Sequence, residues 1–115
     1  MQTRDLTELV HFSEDEPRRS ILYDSERVFA QVICLQGNQL LGPLSDAESE
    51  GIVAVLAGEV AIQVGKSRAR IKQWQTALVP PEDELTVRNA SDEPAVVLLL
   101  LAPPPAGADD DGDAA

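Results

Sequence analysis

The chain has 115 residues and a mass of 12.4 kDa, enough for one domain with a single core. Its formal net charge of −11 excludes a non-specific grip on nucleic acid, because phosphates would be repelled. One Cys excludes an intrachain disulfide, and one His nearly removes the multi-histidine metal sites. The opening residues, Met1 to Val10, have no long apolar run of the secretory kind. The longest uncharged apolar stretch, Ala95 to Pro105, is too short to span a bilayer and ends in three prolines. With an unpaired Cys34, these features give a reducing cytoplasm as the expected compartment, with no membrane partner.

Residues 1–19 are polar, and within them Thr7 to Phe12 fits either one helical turn or a short edge strand. From Ser20 onward the apolar period shortens. Ile21 and Tyr23 alternate with their neighbours, and Val28 to Leu35 is an apolar, β-branched run without a breaker, which suits a buried strand. Gly37 and Asn38 make a turn. Pro43 to Gly51 reads as a loop. Ile52 to Leu56 is a strand, and Val60, Ile62 and Val64 give the next by alternation. After Gly65–Lys66–Ser67, the residues Arg68, Arg70 and Lys72 place a basic ladder on one face of a further strand. That ladder is a solvated face or, more sharply read, an anion or acidic-segment site. Thr76 to Val79 stops at Pro80–Pro81. Leu85 and Val87 begin a short strand, and Val96 to Leu101 is continuously apolar, buried on both faces or covered by a partner.

About eight or nine short strands at roughly 8–10-residue spacing, divided by Gly, Pro, Asn and Asp, predict an all-β jelly-roll sandwich or barrel. The domain organisation is a segment at 1–19 packing on or extending the barrel, a barrel at 20–101, and a disordered, Pro/Ala/Asp-rich acidic tail at 102–115.

From Val28 to Leu101 the chain resembles a small single-domain cupin, a jelly-roll barrel. Val55–Leu56–Ala57–Gly58–Glu59 is similar to the hairpin after the first cupin motif, with Gly58 in its final glycine slot. Pro80 and Asn89 stand in the Pro and Asn slots of the second motif. The resemblance implies a metal site of three histidines and one glutamate. Counting from Gly58, however, the histidine slots hold Leu44, Asp46 and Leu85, and the glutamate slot holds Gly51 with Glu50 one residue early. Glycine slots are filled by Asn38, Trp74 and Glu82. Asn38 tolerates a left-handed turn, whereas Trp74 and Glu82 predict altered loops.

The site that follows is metal-free and without cofactor. Leu44, Asp46, Leu85 and Val87 are the candidate pocket residues, expected to favour an apolar small molecule or to be filled by side chains. Asp46, Glu48 and Glu50 form an acidic loop that could hold a hard cation weakly; its plainer reading is a solvated loop. His11 lies outside both motifs and reads as a surface or packing residue. Cys34, with no visible base to activate it, reads as a small apolar core residue. Trp74 is the candidate interface residue, and a homodimer is expected. The leading functional expectation is a cupin-like small-molecule-binding or assembly module without catalysis. Its alternatives are a cupin-superfamily enzyme of dioxygenase or isomerase type with a non-standard site, and a ligand sensor working with a separate regulator.

Overall fold

The computed structural model describes residues 1–105. Nine strands are found among them: β1 (Arg18–Asp24), β2 (Phe29–Leu35), β3 (Leu40–Leu44), β4 (Glu50–Ala57), β5 (Glu59–Val64), β6 (Ser67–Lys72), β7 (Thr76–Val79), β8 (Leu85–Arg88) and β9 (Ala95–Ala102). They form two antiparallel sheets, one in the order β1-β2-β9-β4-β7 and the other in the order β3-β8-β5-β6. This is an all-β jelly roll. No helix among the described residues is long and apolar enough to cross a membrane.

The period-2 pattern explains how the sheets pack. Ile33 and Leu35 of β2, Val53 and Val55 of β4, and Val97 and Leu99 of β9 point inward from the larger sheet. They meet Val60 and Ile62 of β5, Ile71 of β6 and Val87 of β8 in one buried cluster. The alternate residues Ala30, Val32, Cys34 and Val96 point outward and would face water in a bare sandwich. Instead, Leu6, Leu9, Val10 and Phe12 of the N-terminal segment cover them. This second layer explains why β2 is buried at every position and β9 is apolar throughout rather than alternating. The segment contains a 3-10 turn at Leu6–Leu9, so the helical option at Thr7 to Phe12 is the one adopted. It is tied down by Arg4 Nη1 donating to the Leu22 carbonyl (3.1 Å) and by Gln39 Nε2 donating to the Ser13 carbonyl (2.7 Å).

The structure amends several details. The expected loop at Pro43 begins inside a strand, β3, despite Gly42 and Pro43. This strand lies at a sheet edge, where a missing N–H is tolerated, and its register is irregular between Leu41 and Leu44. The apolar strand β9 has no open edge, since it is paired on both sides, with β2 and with β4. Trp74 and Glu82 do not remodel their turns. Like Asn38, they hold the left-handed backbone a glycine would hold, with φ of 73° and 74° against 68° at Asn38. At the other end, β9 runs to Ala102, and the Pro103 carbonyl accepts a 2.6 Å hydrogen bond from Ser49 Oγ. The rest of the expected acidic tail, 106–115, lies outside the described residues.

Candidate functional site

One end of the sandwich contains a cavity of about 130 Å³. Strand register builds it. In the smaller sheet Leu44 pairs directly with Leu85, and in the larger sheet Gly51 sits between Val79 and Leu101. All five line the cavity, as does Leu99, two residues along β9 and on the same face as Leu101. Gly51 helps to keep the space open: a Cβ there would stand only 3.0 Å from Leu101 Cδ2.

The loop between β3 and β4 supplies the polar side. Asp46 Oδ1 accepts from the backbone N–H of Glu48 and of Ser49, each at 2.9 Å, which folds the loop back on itself. The Asp46 carbonyl accepts from the Glu82 N–H (2.9 Å), so this loop is tied to the β7–β8 turn. Ser45, Asp46, Ser49 and Asp83 therefore stand at the cavity beside the leucines.

Four positions that a cupin resemblance would give to metal ligands, Leu44, Asp46, Gly51 and Leu85, thus line one space. Their chemistry does not fit such a metal. Two leucines and a glycine offer no side-chain donor, and the Oδ1 atom of Asp46 is already bonded to the backbone. The Glu48 and Glu50 carboxylates do not join Asp46 at the cavity; both residues are exposed and neither lines it. No cluster of three or more His, Cys, Asp or Glu suited to a metal ion is present among the described residues. Val87 is packed in the core, 1% exposed, and does not reach the cavity.

Sequence reasoning missed the cation of the pocket. Arg19, on β1 opposite Ile33, is half-buried and lines the cavity, adding a cation to a lining expected from Leu44, Asp46 and Leu85. Its Nε and Nη2 both donate to Gln31 Oε1, at 3.1 and 2.9 Å. Gln31 is fully buried on β2, paired with Leu99. A guanidinium only donates, so it fixes which end of the amide faces it. Gln31 Nε2 is left buried without a hydrogen-bond partner among the described residues. A signal was available: Gln31 is the one strongly polar residue in an otherwise apolar strand, and such a group needs a partner.

The other candidates lie elsewhere. His11 is exposed, its Nε2 2.9 Å from the Glu8 carbonyl oxygen. Cys34 is fully buried under the N-terminal segment, 3.8 Å from the Leu9 carbonyl oxygen, and burial holds its thiol above the ordinary pKa. Arg70 pairs with Glu59 at 3.1 Å on an exposed face, and Arg68 and Lys72 are exposed beside it. Trp74 is 77% exposed in the β6–β7 turn.

No protein-family model matches the sequence, and no curated protein matches it. Solved structures do. TT1209 from Thermus thermophilus superposes with a TM-score of 0.85 at 27% identity, over 90% of this chain and 98% of that one. An uncharacterised conserved protein with a double-stranded β-helix domain from Klebsiella pneumoniae gives 0.83 at 20% identity, over 90% of each chain. A RmlC-like cupin protein from Desulfovibrio desulfuricans gives 0.79 at 24% identity, over 90% of this chain and 97% of that one.

Proposed function

We propose that this chain, whose fold is that of the cupin superfamily, is a small-molecule-binding module that uses its barrel pocket without a metal. The observation carrying the reading is the convergence of Leu44, Asp46, Gly51 and Leu85 on a single cavity in which three of the four have no donor atom. Losing the ligands while keeping the space converts a coordination site into a binding site. Catalysis is not part of the proposal. The chain's one imidazole, His11, and its one thiol, Cys34, both lie outside the cavity lining, so neither can act on a bound molecule there. We place the protein in the cytoplasm, where Cys34 stays reduced.

Elemental analysis of full-length protein purified without a His-tag tests the metal half of the reading. The expected transition-metal content is far below one atom per chain. Stoichiometric iron, manganese, nickel or zinc would overturn it and favour an enzyme with a non-standard site.

A second reading, self-association, has its own observation. Ile52 and Leu78 are register partners on the outward face of β4 and β7, 43% and 59% exposed. Trp74 is fastened to the same strand by its N–H donating to the Val55 carbonyl (2.9 Å). We propose that a homodimer covers this face.

A further inference from the structure

We infer that the cavity takes a small organic monocarboxylate, its anionic end on Arg19 and its aliphatic end against Leu44, Leu85, Leu99 and Leu101. The inference rests on the pocket being a binding site, as proposed above.

The first argument is charge. Arg19 is half-buried at the cavity, and although Asp46 and Asp83 share the lining, it makes no ion pair within 4.0 Å among the described residues, where Arg70 with Glu59 is the pair found. A cation taken partly out of water without a counter-ion is unfavourable, and an anion entering the cavity would relieve it.

The second is preorganisation. Gln31 is fully buried and clamps Nε and Nη2 of Arg19 from one side, leaving Nη1 with no hydrogen bond among the described residues. That clamp leaves Nε2 of Gln31 buried and without a partner among the described residues, a cost to stability. A merely structural role does not account for it, because an apolar residue would fill β2 more stably. Holding a guanidinium fork in a fixed attitude does.

The third is size and polarity. A space of about 130 Å³ approaches a cavity that holds a benzene-sized guest, so the ligand has roughly six heavy atoms. A carboxylate has two oxygens, and one guanidinium edge can serve both. Phosphate and sulfate carry further charge and further oxygens, which Asp46 and Asp83 would repel and the leucines could not pair.

The acidic neighbours then set the charge limit. Asp46 is engaged with its own loop, and the Asp83 carboxylate leans toward the β5–β6 turn, 3.3 Å from where a Cβ on Gly65 would lie. Both still line the cavity and oppose any negative charge there, so Arg19 can offset one ligand carboxylate and a second would meet repulsion with no cation to balance it.

The test is an NMR titration of full-length protein with three probes: isovalerate, the uncharged 3-methylbutan-1-ol of the same skeleton, and the dicarboxylate glutarate. Isovalerate should bind about tenfold or more tightly than the alcohol, with shifts at the cavity residues, and glutarate should bind more weakly than isovalerate. Arg19→Gln should bring acid and alcohol to within about twofold of each other. Equal affinities in the wild type, glutarate binding as tightly as isovalerate, or a preference that survives Arg19→Gln would overturn the inference. If Arg19→Gln does not fold, the wild-type comparison of acid with alcohol and glutarate still decides. Binding of the alcohol alone would sink the inference and leave the pocket reading standing; binding of neither would sink both.

Discussion

Asn89 should be the most consequential single polar residue outside the cavity. It is fully buried, and every polar atom of its side chain is used. Nδ2 donates to the Leu35 carbonyl at 3.0 Å and to the Glu93 carbonyl at 2.6 Å, while Oδ1 accepts from Ser91 N–H at 3.1 Å and Ser91 Oγ at 2.9 Å. Its backbone adds two more bonds, to Asn38 and Gln39 in the β2–β3 turn. One side chain therefore joins the end of β2 to the β8–β9 turn. In Asn89→Ala the exposed Glu93 region and part of Ser91 can turn to water, but the Leu35 carbonyl stays buried and unpaired. Three or four bonds at about 1 kcal/mol each, with some recovered from solvent, give a loss of about 3 kcal/mol. For a chain of this length that is a fall in Tm of roughly 10 °C. Asn89→Asp should be worse than Ala at neutral pH, because carboxylate oxygens would face two carbonyl oxygens. Burial would raise the new group's pKa, and its protonated form can donate one bond again, so the deficit of Asn89→Asp should shrink as pH falls. Calorimetry of both variants across pH checks this. A Tm within about 3 °C of wild type for Asn89→Ala, or Asn89→Asp more stable than Asn89→Ala at pH 7, would refute the accounting.

Glu82→Gly should raise stability by up to about 1 kcal/mol in denaturant melts, since relief of a left-handed backbone outweighs the entropy glycine gains when unfolded. Gly58→Ala should lower it by about 2 kcal/mol or more: φ is 79°, and the added Cβ would meet the Pro94 carbonyl oxygen at 2.6 Å. Cys34 should react with a thiol reagent at neutral pH only as fast as the protein opens, so labelling should accelerate sharply in denaturant. Its folded pKa is raised by burial, so this group's contribution to stability is fully present below the ordinary thiol value of 9.0 and is lost as pH rises above it; Cys34→Ala should flatten that alkaline limb. Light scattering should give a dimer mass for the wild type and a monomer mass for the Ile52→Glu, Leu78→Lys pair, with unchanged circular dichroism; a wild-type monomer at tens of micromolar would refute the association.

The fold was legible because alternation is a local property. Val60, Ile62 and Val64 announce a strand whatever lies beside them, and Gly58 and Gly65 do take up positive φ in the turns assigned to them. What escaped was set by neighbours. The Leu40–Leu44 strand contains Gly42 and Pro43, which are breakers in an isolated reading. They are acceptable only because β3 ends its sheet, and edge position is a tertiary fact. The continuously apolar run Val96 to Leu101 likewise left open whether its outward residues are buried within the chain or covered by a partner. Counting residues could not show that Leu6, Leu9 and Phe12 cover them.

The same division runs through the candidate site. Motif spacing located Leu44, Asp46, Gly51 and Leu85 because strand register carries spacing into space: two pairs of adjacent strands bring Leu44 to Leu85 and Gly51 to Leu101. Arg19 obeys no such rule. It closes the charged run Glu16–Pro17–Arg18–Arg19, where its neighbour Arg18 is exposed and a solvated role is the ordinary inference. Only the inward face of β1 distinguishes the two arginines, and only a buried glutamine on the next strand explains why one is held there. Apolar ligand slots by themselves would predict a site filled by its own leucines. A guanidinium held at its wall by a fully buried amide argues instead for space kept for something charged. Leu44, Gly51 and Leu85 offer no side-chain donor to a metal, and Arg19 is the group at the wall that can donate to the proposed anion.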